Sequence, residues 1–147
     1  MERRFPVRED FSHFVQQSTR WRDEDRLGHV NNAMYFTYEE TTRISYLDRV
    51  FDRATAWTGG AVIVAHIECD FVAQLHHPTD FEMGFRIASL GGSSMSSEGA
   101  IFVGDEVVAV TRSVIVFFDY EADRSVRITD EARAAIRAFE RRAPEEQ

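Results

Sequence analysis

The spacing of apolar residues changes period along this chain, and those changes predict its elements. Residues 14–21, FVQQSTRW, alternate well enough for a strand. After Asn31 the period turns helical, with Tyr35, Tyr38, Thr42, Tyr46 and Val50 on one broad stripe. This predicts a helix of about five turns over NNAMYFTYEETTRISYLDRVF, capped by Asn31 or Asn32. It should end near Asp52 to Thr55, before TGG, and Glu39 can pair with Arg43 one turn on. From Ala61 the period becomes two. Ile63, Ala65, Ile67, Cys69 and Phe71 are expected on one face, with His66, Glu68 and Asp70 on the other. HHPTD reads as a turn. Phe81, Met83, Phe85 and Ile87 share a face of the next strand, and GGSS reverses the chain. MSSEGAIFV is a further strand, Gly104-Asp105 a compact hairpin turn, and EVVAVTRSVIVFFD the last long strand. ITDEARAAIRAFERR predicts a second helix capped by Thr129, with Ala132, Ile136 and Phe139 inward. Residues 1–13 are charged and are expected to lie loosely at the edge.

The order of strand, long helix and four closely joined strands predicts an α+β fold, an antiparallel sheet with one central helix packed across it. The last strand is apolar on both faces, with Val108, Val110, Val114, Val116 and Phe118 against Val107, Ala109, Ile115 and Phe117. One helix covers only one face, so part of the other face or an edge should be closed by a second subunit. No repeat, low-complexity tract or linker interrupts the pattern, which suits one domain over residues 1–147.

Charge and cysteine content narrow the setting. A formal net charge of −8 disfavours nonspecific binding to nucleic acid or to an anionic membrane. The single cysteine, Cys69, rules out an intrachain disulfide framework and fits a reducing interior. The N-terminus has no apolar stretch behind its basic residues, and no run approaches a membrane span, so a cytoplasmic protein is expected. His76 and His77 are adjacent in a turn, and nothing has the ligand spacing of a zinc site; no metal is expected.

The candidate chemistry sits in RWRDEDRLGHVNNAMYF, residues 20–36. Two aspartates, a glycine, a histidine and two asparagines gather at the start of the long helix. There the free N–H groups and aligned peptide dipoles favour negative charge, so an oxyanion could be held. Asp25 lies just before, in a loop tightened by Gly28, where a carboxylate could attack a carbonyl or activate water. One carboxylate and one helix end suit thioester hydrolysis. A thiolate leaves with little help, since a thiol has a pKa of roughly 8.5, whereas an amide needs its nitrogen protonated. No metal or prosthetic group is required.

The stretch RWRDEDRLGHVNNAMYFTYEETTRISYL resembles the signature of hotdog-fold acyl-CoA thioesterases of the 4-hydroxybenzoyl-CoA thioesterase type. The pattern is carried by Asp23, Asp25, Gly28, His29, Val30, Asn31, Asn32, Tyr35, Glu40 and Arg43. SLGGSSM and VRITDEAR are similar to later features of the same family, so the resemblance spans roughly residues 14–135. It implies a hotdog fold, a five-stranded antiparallel sheet wrapped round the long helix, in homodimers or homotetramers. It implies that Asp25 is the catalytic carboxylate and that the Asn32 backbone N–H binds the oxyanion. It also implies an acyl-CoA substrate and a site at the subunit interface, with the partner's strands lining the acyl pocket. The turn LGGSSM lacks the arginine or lysine that some members place there, which leaves an acyl carrier protein open as the thiol carrier.

Other residues have competing roles. His29 could orient water or bond a substrate oxygen, or satisfy backbone groups in a tight loop. Tyr35 could contact substrate or belong to the core, and Ser94 could contact pantetheine or an acyl chain, or simply form the turn. Asp23 reads as a turn residue bonding backbone. Glu40 is a rival carboxylate, with Arg43 positioned to neutralise it. Cys69 reads as a small buried residue. A non-catalytic acyl-thioester-binding module is the main alternative. A hydratase is a third, although its usual Asp-x-Asn-Pro-x-x-x-His joint is absent from DEDRLGHVNN.

Overall fold

The structure is a computed structural model that describes residues 4–51 and 61–147. Its long elements are β1 (His13–Ser18), α1 (Asn32–Val50), β2 (Ala61–Phe71), β3 (Asp80–Leu90), β4 (Ser94–Val103), β5 (Glu106–Asp119) and α2 (Asp130–Phe139). The five long strands form one antiparallel sheet in the order β1-β3-β4-β5-β2. The two-residue strands Arg124–Ser125 and Glu145–Glu146 join β5 and β3 respectively. With α1 against one face, this is the hotdog arrangement. Among the described residues no helix is long and apolar enough to cross a membrane.

The Asn31 side chain accepts the Ala33 N–H at 2.8 Å, so the cap sits where the polar joint meets the first helical residue. The predicted stripe is buried: Tyr35, Tyr38, Thr42 and Tyr46 face the sheet, and Val50 packs partly against it. The helix closes at Val50 with Phe51 as its C-cap. The expected end, Asp52 to Thr55, lies outside the described residues. In α2 the Thr129 hydroxyl accepts the Ala132 N–H at 3.1 Å, and Ala132 and Ile136 are buried as expected.

Three expectations need correction. β1 ends at Ser18, because Trp21–Asp23 winds into a 3-10 turn around the Asp23 carboxylate. β2 does not keep one face. A bulge between Val64 and His66 pairs Val62 and Val64 with Phe117 and Ile115, but Ile67 and Cys69 with Ser113 and Thr111. The extra residue shifts alternation by one, so Val62 and Val64 share a face with Ile67 and Cys69, while Ile63 does not. Nor is the N-terminal segment loose. Phe11 is buried against Phe14, Ala100 and Phe102, and a Cβ on Gly84 would stand 2.7 Å from its ring. The chain therefore covers one end of its own outer sheet face. A second bulge turns Val108 inward beside Tyr35 and Ala109, which accounts for another part of the doubly apolar strand.

Apart from the Phe11 cluster, the core of the described residues has two apolar regions. One gathers Tyr46, Leu47, Phe51, Leu90, Met95 and Phe117 under α2; the other gathers Val30, Tyr35, Tyr38, Phe81, Met83 and Ile101 near the start of α1. Buried polar residues on three elements accompany them: Glu39 and Thr42 on α1, Ser97 on β4, Thr111 and Ser113 on β5. Gln17 serves this belt from β1, donating to the Tyr38 carbonyl and to the Thr42 hydroxyl.

Candidate active site

The motif loop is a miniature hairpin. Glu24 bridges Val30 in antiparallel fashion, and the Asp25 N–H donates to the His29 carbonyl at 3.1 Å. At the tip, the Gly28 N–H donates to the Asp25 carbonyl at 3.2 Å; Gly28 has φ 82°, a conformation that a side chain disfavours. The half-buried Asp25 carboxylate accepts the Leu27 N–H at 2.8 Å through Oδ1. That turn fixes one carboxylate oxygen, and among the described residues the other has no hydrogen-bond partner. The loop runs into α1 through Asn31, whose N–H donates to the Asp23 carbonyl at 2.8 Å. Asn31 also accepts the N–H groups of Ala33 and Met34, whereas the N–H of exposed Asn32 has no partner among the described residues.

Asp23 anchors this construction. Its buried carboxylate accepts the Tyr38 hydroxyl at 2.6 Å, the Arg20 N–H at 2.9 Å and the Arg20 Nε at 3.1 Å. Burial alone would raise its pKa. The hydrogen bonds from Tyr38 and the Arg20 backbone, with the Arg20 charge, overcome burial and hold it below the usual carboxylate range. The expected turn role is present, and Tyr38, from the helix, adds a tertiary bond to it.

A second loop, between β2 and β3, clamps the first. The Val30 N–H donates to the Leu75 carbonyl at 2.7 Å, and the His77 N–H donates to Glu24 Oε1 at 2.7 Å. His76 Nδ1 lies 2.8 Å from the Gly28 carbonyl, and its ring meets the His29 ring edge-on at 6.4 Å. The spacing of these histidines gave no sign of this contact, because the partners are 48 residues apart. Among the described residues no three His, Cys, Asp or Glu side chains gather as a metal site.

Thus Asp25, His29 and Asn32 come together at the start of α1. Tyr35 stands behind them, buried edge-on against Phe71 at 4.9 Å between ring centroids. Ser94 does not join them within one chain. It begins β4 at the opposite end of the sheet, where α2 packs, and the strand between extends about 30 Å. At that turn Arg133 donates to the Gly91 and Gly92 carbonyls, so a cation from α2 reaches a turn that has none of its own. Cys69 is half-buried, and burial, aided by the Asp70 charge, pushes its thiol up to about 11, which makes it a poor nucleophile.

Glu39 was expected only as an ion-pair partner. It pairs with Arg43, but it is fully buried and its Oε1 has no partner among the described residues. Burial outweighs the Arg43 charge and raises its pKa from 4.5 to about 7. The folded chain therefore favours protonated Glu39. Its stabilising contribution is full below pH 4.5 and declines as pH rises through about 7. Glu39→Gln should thus gain stability over the wild type between pH 5 and pH 8, by on the order of 2–3 kcal/mol. Urea unfolding of both proteins at the two pH values measures this; an equal difference at both would remove Glu39 from the pH dependence.

Comparison with known proteins decides the family. Residues 19–136 match the model of the thioesterase-like superfamily. The chain belongs to that superfamily. It is similar to the PA5185 protein of Pseudomonas aeruginosa, at 37% identity and a TM-score of 0.81, over 94% of this chain and 98% of that one. It is also similar to a Thermus thermophilus thioesterase solved with coenzyme A and zinc, at 31% identity and a TM-score of 0.81, over 91% and 98% of the two chains. YsmA of Bacillus subtilis is 26% identical over 130 residues, 86% of each chain.

Proposed function

We propose that this superfamily member is a cytoplasmic acyl-CoA thioesterase acting on a small-to-medium acyl or aryl thioester. The observation that carries the reading is the Asp25 carboxylate, with one oxygen left open in the short hairpin that leads directly into the helix end where the Asn32 N–H is open. Water attacks the thioester carbonyl while Asp25 takes its proton. The carbonyl oxygen becomes an oxyanion held by the Asn32 N–H, and collapse expels the thiolate, leaving a carboxylic acid. In the covalent variant Asp25 attacks directly and water cleaves the resulting anhydride. The coenzyme A in the Thermus structure supports this thiol carrier.

The same reading places the complete site between two subunits of a homodimer, or of a tetramer built from such dimers. β2 is an eleven-residue strand at the end of the sheet, and its outer edge pairs with no described residue. Exposed Ile44, Val64, Phe71 and Tyr120 lie along this side, as an edge awaiting a partner would have them. A cavity of about 550 Å³, lined by Arg43, Ile44, Leu47, Val62, Val64 and Tyr120, opens at the N-terminal end of β2. Tyr35 and the motif loop lie at its C-terminal end, beside Phe71. Antiparallel pairing of two β2 edges exchanges ends, so one copy's Asp25 would meet the other copy's cavity. Ser94 lies in register with Val116 and Ile63 at the cavity end but on the sheet face opposite Val62 and Val64, so in this reading it would contact pantetheine or the acyl group only where that chain passes over the outer face. His29 and Tyr35 would contact the substrate from the catalytic side.

The test is thiol release from short, medium, long and aromatic acyl-CoAs, followed with a chromogenic thiol reagent. Saturable turnover on one class is expected. Binding without thiol release from folded protein would replace this reading with a non-catalytic acyl-thioester-binding module.

A further inference from the structure

The β2–β3 loop does more than join strands. It meets the motif hairpin on both arms and at its tip: Leu75 at Val30, His77 at Glu24 and His76 at Gly28. One of these contacts joins two backbones, and a second sets a loop backbone N–H against the Glu24 carboxylate, so neither needs a side chain from the β2–β3 loop. The third depends on one side chain. The Gly28 carbonyl can only accept, so His76 Nδ1 must carry the proton in that 2.8 Å contact. Gly28 is also the left-handed residue whose N–H closes the turn on the Asp25 carbonyl. Its peptide groups are thus held from two sides, by Asp25 and by His76.

We infer that His76 is a positioning residue for Asp25, holding the tip of the motif hairpin through the Gly28 carbonyl. The inference rests on the thioesterase reading. The reasoning is mechanical. The hairpin tip is five residues long, half-buried at Asp25 and His29 but exposed from Arg26 to Gly28, with Leu27 standing 78% open to solvent, so it has little core to hold it. The Asp25 carboxylate spends one oxygen on the Leu27 N–H, within the same tip. Any tilt of the tip carries the carboxylate with it, relative to the Asn32 N–H, which belongs to α1. The reacting pair therefore sits on two separate supports, and His76 ties the weaker one to the sheet through β3. The nearby His29 ring limits the room in which His76 can swing.

The test is steady-state kinetics of His76→Ala, His76→Asn and His76→Gln beside the wild type and Asp25→Asn. A misplacement of the carboxylate by about 1 Å can cost on the order of 10²-fold in rate. His76→Ala should therefore lose about 10- to 100-fold in kcat with KM nearly unchanged. Asparagine presents an N–H where Nδ1 stood, so His76→Asn should recover to within about threefold of wild type. Glutamine carries its donor one bond further and should not recover. A kcat for His76→Ala within about twofold of wild type overturns the proposal. So does a loss carried by KM alone, or one that asparagine fails to restore. If the alanine protein does not fold, the contrast between asparagine and glutamine decides the matter in the same terms. Silence of the wild type on every thioester would defeat the thioesterase reading instead. The tether is then read by amide exchange of Leu27 and Gly28, which should quicken in His76→Ala and be restored in His76→Asn; unchanged exchange overturns it.

Discussion

Asp25→Asn is expected to lower kcat for thiol release by about 10²- to 10⁴-fold while leaving the thermal unfolding temperature nearly unchanged. The substitution is isosteric and keeps the Oδ1 that accepts the Leu27 N–H, so the Asx turn survives. The two backbone bonds that close the hairpin, to His29 and from Gly28, do not involve the side chain. Only the negative charge and its proton affinity are lost. KM should move little, because the carboxylate acts on water or the reacting carbonyl and makes its largest contribution in the transition state. A rate within a few-fold of wild type would take Asp25 out of the mechanism. Attention would then pass to Glu40, exposed at the rim of the cavity beside Arg43.

The neighbouring acid should behave in the opposite way. Asp23→Ala is expected to cost about 1.5–3 kcal/mol of stability, because the hydrogen bonds to its buried carboxylate are lost and the buried Tyr38 hydroxyl is stranded. The Tyr38 hydroxyl and the Arg20 N–H would both lose their acceptor; water can replace it at exposed Arg20 but not at buried Tyr38. Denaturant unfolding of Asp23→Ala, Tyr38→Phe and the double variant measures the share carried by the Tyr38 bond. A coupling of about 1.5–3 kcal/mol is expected for a hydrogen bond to a charged group. Additive losses would mean that Asp23 stabilises the 3-10 turn alone and not its contact with α1. Two aspartates two positions apart would then be separable by experiment, one as chemistry and the other as framework.

The periodicity made most of the fold legible. Helix α1 was readable because Tyr35, Tyr38, Thr42 and Tyr46 repeat at the spacing of one helical face, and Asn31 is a residue that caps. The hairpin at Gly104 was readable because the turn needs the conformation that glycine adopts, and its φ is 59°. The two bulges were not readable. A bulge inserts a residue whose cost and gain depend on the neighbouring strand, so Ala65 and Val108 look like ordinary members of an alternating run. Phe11 was misread because a charged local context hides a contact with strands some ninety residues away, at Ala100 and Phe102.

The site divides along the same line. Asp25, Gly28, His29 and Asn32 fall within one short stretch, and the chain's own local bonds bring them together, so the sequence by itself determined that a carboxylate, a tight turn and a helix end would be neighbours. It also determined the superfamily, whose match spans residues 19–136. Only the tertiary structure decided what holds that stretch in place. The Tyr38 hydroxyl on Asp23, the His76 imidazole on Gly28 and the Glu24 carboxylate on the His77 N–H each join segments with no shared periodicity. It alone decided that Glu39 is buried with an unsatisfied oxygen, and that Ser94 lies at the far end of the sheet from Asp25. The physical reason is common to all of these. Local geometry follows from the conformational preferences of adjacent residues, whereas burial and long-range hydrogen bonding depend on which surfaces meet once the sheet has closed round the helix.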